Sequence, residues 1–224
     1  MLKKMRSKSA ILFDLDGTLL DTAHDLTLAF NQVIPKYTGK TYSLAETRKL
    51  VGYGSRALFL HAFQGSIDET LFEQFKKEFL AAYQQASHCR TALFDGMEEV
   101  LMYLNAQHIS WGIVTNKPYE GAVRALKNFP LLETNHCLVG CDTASYPKPS
   151  PEPLLYACTM LNISPADTYF VGDTPTDMEA AHHAHIDSIA VTYGYGTEDI
   201  QTSPWQPTLW INDPKELLGI LKED

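Results

Sequence analysis

The apolar positions of this chain change their period twice. Ala10 to Phe13 is a short unbroken apolar run, AILF, that ends against Asp14 and Asp16 in the stretch AILFDLDGTLLD. A run of that length with polar residues at its end predicts a buried strand. Between Thr22 and Cys89 β-rich runs almost vanish. Leu26, Ala29, Phe30 and Val33 share one helical face, and Phe72, Phe75, Phe79, Ala82 and Tyr83 share another, so this stretch is expected to form a small helical bundle with the phenylalanine stripe in its core. From residue 92 onward short apolar runs alternate with helical spacing. Met97, Val100, Leu101 and Leu104 mark a helix, with Met97 and Met102 as core candidates, and ISWGIVT (109–115) reads as a strand. CLVG (137–140), TYFVG (168–172) and SIAVT (188–192) are further strands. Leu154, Leu155, Cys158 and Leu161 mark another helix, and 215–221 a terminal one after Pro214.

Regular strand–helix alternation predicts right-handed crossovers and a mainly parallel sheet covered on both faces. The expected fold is therefore α/β: a Rossmann-like core from residues 1–20 and 91–224, interrupted by a small helical domain over residues 21–90.

Composition changes this picture little. With 45% hydrophobic and 20% charged residues the chain is ordinary for a globular protein. Its net charge of -9 argues against general binding to nucleic acid or anionic membranes. The basic start MLKKMRSKS precedes an apolar run too short for a secretion signal, and no stretch approaches the roughly 20 apolar residues of a membrane span. Cys89, Cys137, Cys141 and Cys158 contain no C-x-x-C pair, which favours buried thiols in a reducing cytoplasm over a structural zinc site.

In open parallel sheets, ligands bind at the carboxyl ends of the strands. Four loops there carry chemistry: DLDGT (14–18), TNK (115–117), the KPSPEP segment beginning at Lys148, and GDTPTD (172–177). The hard carboxylate oxygens of Asp14 and Asp173 suit Mg²⁺, which also resolves the repulsion between clustered acids. If the ligand is a phosphate ester, Thr115, nearby backbone N–H groups and Lys148 can bind its non-bridging oxygens. Asp14 can then attack phosphorus, and Asp16 can protonate the leaving alkoxide and later deprotonate water.

These four motifs, in this order along nearly the whole chain, resemble those of the haloacid dehalogenase superfamily. The resemblance implies that Asp14 is nucleophile and metal ligand, and that Asp16 is the acid/base and also meets Mg²⁺ through its backbone carbonyl. It implies phosphate binding by Thr115, Asn116 and Lys148, a metal ligand in Asp173, and an orienting role for Asp177. An aspartate at position 16 is the mark of the phosphatases and phosphomutases of that superfamily. The helical insertion resembles the cap of the phosphoglycolate phosphatase-like group. Gly52 to Arg56 falls where its specificity loop lies, making Arg56 a candidate contact for an anionic substrate. VTYGY (191–195) fits phosphoglycolate phosphatases, whereas FDGMEEV, WGIVTNKP and the tail near Trp205 are similar to N-acetylmuramic acid 6-phosphate phosphatases. The expectation is a cytoplasmic Mg²⁺-dependent phosphatase, monomer or homodimer, acting on a small phosphorylated metabolite, with 2-phosphoglycolate ahead of the sugar phosphate.

Two rival readings remain. A receiver-like phospho-acceptor domain also uses clustered aspartates, a hydroxyl and a lysine, but its phosphorylated residue follows a later strand and it carries no helical insertion. AHHAH (181–185) suggests zinc, yet adjacent helical residues point about 100° apart, which favours solvated histidines at a helix end.

Overall fold

The structure, a computed structural model, describes residues 8–66, 68–86 and 90–222. Cys89 and the basic residues 1–7 lie outside them. The chain opens with β1 (Ala10–Phe13) and β2 (Leu20–Asp21), followed by α1 (Ala23–Val33), α2 (Pro35–Thr38), α3 (Leu44–Val51), α4 (Gly54–Ala62) and α5 (Glu69–Ala86). It returns through β3 (Ala92–Leu93), α6 (Met97–Ala106), β4 (Ser110–Val114), α7 (Tyr119–Leu126) and β5 (Cys137–Val139). The last third contains α8 (Glu152–Leu161), β6 (Thr168–Gly172), α9 (Pro175–Ala184), β7 (Asp187–Val191), α10 (Thr197–Thr202), β8 (Leu209–Ile211) and α11 (Glu216–Lys222). Two compact units result, one from Met1–Leu19 with Leu93–Asp224 and the other from Leu20–Ala92.

In the first unit six strands form a sheet in the order β5-β4-β1-β6-β7-β8, with every neighbouring pair parallel. The mainly parallel α/β core expected from the alternating pattern is therefore observed. β1 is buried along its whole length because β4 and β6 flank it and helices cover the sheet, which is why its sequence is continuously apolar rather than alternating. Phe13 lies level with Ile113 and Val171, and its ring meets the buried Trp111 edge-on at 6.2 Å. The Trp111 indole N–H donates to Asn105 Oδ1 at 2.9 Å, so the largest core side chain leaves no polar atom stranded.

Some sequence expectations need correction. Met102 is 57% exposed and Leu155 is 38% exposed. On α6 the buried face is Met97, Val100, Leu101 and Leu104. On α8 it is Leu154, Ala157 and Cys158 with Leu161 packed alongside. Position 155 follows 154 by a rotation of about 100° and leaves the stripe. The edge strand β8 and the short helix α10 had no signal strong enough to announce them.

The second unit is held by aromatic contacts. Phe30 of α1 meets Phe75 of α5 edge-on at 6.0 Å, Phe59 of α4 stacks on Phe63 at 4.3 Å, and Phe75 stacks on Phe79 at 5.7 Å. α1 and α3 share a buried hydrogen bond of 2.6 Å between the Thr27 and Thr47 hydroxyls. Ser43 and Glu46 bond reciprocally at the start of α3, supplying backbone donors there with partners. The buried Asp25 accepts from the Thr91 N–H at 2.9 Å and its hydroxyl at 2.6 Å, fixing α1 to the returning chain.

Candidate active site

Asp14 is the first residue past β1, and its N–H still donates to the Val171 carbonyl at 2.9 Å. The sheet therefore holds it at the carboxyl edge of β1, flanked by β4 on one side and β6 on the other. Thr115 occupies the matching position after β4, where its N–H donates to Val139 O at 2.9 Å. Asp173 follows β6 directly and is fully buried.

Lys148 joins these strand ends. Its ammonium donates to Asp14 Oδ1 at 2.7 Å, Asp177 Oδ1 at 2.7 Å and the Val114 carbonyl at 2.9 Å, using all three of its N–H donors. Asn116 holds the backbone of Lys148 reciprocally: its Oδ1 accepts from Lys148 N at 3.0 Å and its Nδ2 donates to Lys148 O at 2.9 Å. The Asn116 side chain thus sets the register between two loops.

Asp177 lies in the first turn of α9 and reaches back to its start. Its Oδ2 accepts from the N–H of Asp173 at 3.2 Å, the N–H of Thr174 at 3.0 Å and the Thr174 hydroxyl at 2.7 Å. A carboxylate there satisfies backbone donors left over by the helix and meets the positive end of its dipole. Asp173 receives the Thr18 hydroxyl on Oδ1 at 3.2 Å and the Tyr195 N–H on Oδ2 at 2.7 Å. Two glycines let the chain come this close. Gly17 has φ +95°, and a Cβ on either Gly17 or Gly194 would overlap Asp173. Thr18, Gly194 and Tyr195 lie in the DLDGT and VTYGY segments that the sequence singles out, but their individual roles are not legible there because their partner, Asp173, is more than 20 residues away.

Asp14, Asp173 and Asp177 each offer an oxygen, and the three atoms lie within 4.8 Å of one another. Burial, opposed by the Lys148 ammonium and reinforced by Asp177, pushes the Asp14 carboxyl up to about 7. Burial, with repulsion from Asp14 and Asp177, raises Asp173 well above the usual carboxylate range. Burial alone would lower Lys148, but the Asp14 and Asp177 carboxylates hold it above its ordinary value. This is an oxygen-rich, acid-heavy pocket whose donors fit a hard divalent cation.

Asp16 turns elsewhere. Both of its oxygens accept from the Lys117 ammonium, at 2.9 and 2.7 Å. The sequence reading took Thr115 and Asn116 from TNK and left Lys117 without a role. Arg56 belongs to the helical unit, where it donates to Glu69 at 2.6 and 3.2 Å and lies over the Phe72 ring at 4.9 Å. His182 and His183 pack against Trp205 at 4.7 and 4.9 Å, and His185 ends α9 in the left-handed region at φ 55°.

Known proteins are similar to this chain over most of its length. The sequence profile of the haloacid dehalogenase-like hydrolases matches residues 11–191. The chain is 36% identical over 221 residues to an N-acetylmuramic acid 6-phosphate phosphatase of Pseudomonas aeruginosa, covering 98% of this chain and 97% of that protein. It is 36% identical over 226 residues to a phosphoglycolate phosphatase of Colwellia psychrerythraea, covering 98% and 99%. A crystal structure of a predicted phosphoglycolate phosphatase from Haemophilus somnus superposes with a TM-score of 0.85 at 28% identity, covering 97% of this chain and all of that one. With its motif aspartates at the carboxyl ends of β1 and β6 and a matching profile over most of its length, the chain belongs to the haloacid dehalogenase-like hydrolases.

Proposed function

We propose that the protein hydrolyses a phosphate monoester of a small metabolite, with Mg²⁺ bound, through an aspartyl-phosphate on Asp14. The observation that carries this reading is the Lys148 ammonium placed 2.7 Å from both Asp14 and Asp177, beside Asp173, at the carboxyl end of β1. Asp14, Asp173 and the Asp16 backbone carbonyl would hold the ion, with Asp177 orienting the groups around it. When bound, Mg²⁺ supplies positive charge to the carboxylates and to the phosphoryl oxygens.

In the first half of the reaction an Asp14 oxygen bonds to phosphorus as the ester P–O bond breaks, and Asp16 gives its proton to the departing alkoxide. In the second half Asp16 takes a proton from water as that water bonds to phosphorus. The Asp14–phosphorus bond then breaks, inorganic phosphate leaves, and Asp14 is restored. Thr115 and the Asn116 backbone bind the phosphoryl oxygens, and Lys148 joins them by exchanging one of its three present contacts, so that fixed donors act on charge that grows in the transition state.

We take 2-phosphoglycolate as the leading substrate, supported by relatives that carry that activity in their names, including those of Colwellia psychrerythraea and Xanthomonas campestris. N-acetylmuramic acid 6-phosphate is the second reading, supported by the Pseudomonas aeruginosa and Pseudomonas putida relatives. The assigned compartment is the cytoplasm; Cys137 and Cys158 are buried free thiols, and among the described residues no helix is long and apolar enough to cross a membrane.

Phosphate release with Mg²⁺, measured across both compounds and common sugar phosphates, tests the assignment. The expected result is the highest kcat/KM on 2-phosphoglycolate. A clear preference for N-acetylmuramic acid 6-phosphate would select the second reading, and inertness toward every phosphomonoester would overturn the proposal.

A further inference from the structure

Among the described residues two ammoniums stand by the site carboxylates, and the proposed reaction uses only that of Lys148. Lys148 is committed to Asp14 and Asp177. Lys117 is committed to Asp16, meeting both oxygens at 2.7 and 2.9 Å, with the two side chains 9% and 15% exposed. The lysine is itself fixed. Its N–H donates to the Thr115 hydroxyl oxygen at 3.1 Å, and its carbonyl accepts from the Cys141 N–H at 3.1 Å. Its stem runs beside α7 at Gly121, where an added Cβ would lie only 3.3 Å from the Lys117 Cγ.

The geometry matters because Asp16 lies two residues further past the end of β1 than Asp14, where its backbone makes a single bridge and its carboxylate is oriented by Lys117. A proton passes between side chain and ester oxygen only across a hydrogen-bond distance of about 2.6–3.2 Å, and catalytic groups must be aimed within roughly 10–20°. A carboxylate with both oxygens on one anchored ammonium has lost its free rotation. We propose that Lys117 is the positioning residue for Asp16, aiming its carboxylate for proton transfer and acting through Asp16 rather than on the phosphoryl group. The inference rests on the reading of Asp16 as acid/base, and it divides the two lysines by role: Lys148 serves the attacking carboxylate, and Lys117 the one that moves protons.

The test compares kcat/KM for phenyl phosphate, whose leaving group needs a proton, with p-nitrophenyl phosphate, whose leaving group does not. Both are assayed with Mg²⁺ on the full chain, because kcat/KM reports the steps through transfer to Asp14. Lys117→Met is expected to lose about tenfold more on phenyl phosphate than on the nitrophenyl ester, a part of the roughly 10²–10⁴-fold that a positioned acid contributes. Lys117→Arg should recover part of that selectivity, and adding Lys117→Met to Asp16→Asn should cause no further loss. Equal losses on both esters, or an additive loss in the double variant, would overturn the proposal, because a phosphate ligand or a general structural prop behaves that way. Thermal unfolding of each variant identifies a folding defect, in which case Lys117→Gln and Lys117→Arg carry the same comparison. If Asp16→Asn is itself unselective, the acid assignment fails and the role of Lys117 falls with it. A selective Asp16→Asn beside an unselective Lys117→Met overturns the role of Lys117 alone.

Discussion

Four carboxylates and two ammoniums meet beyond the carboxyl end of β1: Asp14, Asp16, Asp173 and Asp177 against Lys117 and Lys148. The two excess negative charges match one divalent cation, and the titration of the buried acids makes this measurable. Without a cation Asp14 is raised from 3.8 to about 7, and Asp173 is held well above the usual carboxylate range by burial and by its acidic neighbours. Such groups keep protons in the fold that the unfolded chain has released. Their contribution to stability is complete below about pH 4 and is lost as pH rises through about 7 and beyond. A cation that replaces those protons should therefore raise the unfolding temperature more at pH 8 than at pH 5.5, measured with Mg²⁺ against a chelator. A shift of equal size at both pH values would contradict the charge assignment. Asp14, Asp16, Asp173 and Asp177 were legible as candidates because each lies within a few residues of a recognisable strand, and Lys148 because it opens the KPSPEP segment. Lys117 was not, since its meaning depends on β1 and β4 being neighbours, and that adjacency separates the pair by 101 positions in sequence.

Elements deliver these side chains with little local freedom. β1 runs between two parallel neighbours, so a carboxylate one step past Phe13 emerges beside Thr115 and Asp173 without a dedicated loop. α9 begins with a carboxylate that closes its own first turn, and the segment after β7 passes over Asp173 at Gly194. Gly194→Ala should push that segment off Asp173 and remove the Tyr195 N–H from its oxygen. The expected result is Mg²⁺ affinity weaker by about 10–100-fold, the usual effect of losing a partner of a metal ligand, read by calorimetric titration. Unchanged affinity would contradict the role given to this strap. The fully buried strands were legible as continuous apolar runs, whereas β8 is a three-residue edge strand with two partly exposed positions and α10 is six residues long. Elements this short span fewer than two periods, so neither spacing rule could identify them.

At the scale of the molecule, the helical unit Leu20–Ala92 interrupts a sheet that is otherwise continuous in design. Its own core is a phenylalanine cluster whose spacing was legible. Its proposed part in substrate choice rests on Arg56, which is exposed and paired with Glu69. An exposed pair of this kind holds its partner weakly, and we propose that a substrate anion takes the place of Glu69. Arg56→Ala should raise KM for 2-phosphoglycolate several-fold while leaving KM for p-nitrophenyl phosphate unchanged; no change for either ester would remove Arg56 from recognition. The proposed chemistry belongs to the other unit and turns on a covalent bond between Asp14 and phosphorus. Rapid quenching of the Mg²⁺ enzyme during turnover of p-nitrophenyl phosphate, followed by borohydride reduction and peptide mass spectrometry, reads that bond directly. Reduction of an acyl phosphate leaves homoserine, so homoserine is expected in place of Asp14, dependent on substrate. Steady turnover with Asp14 unmodified, or with the label on another carboxylate, would contradict it.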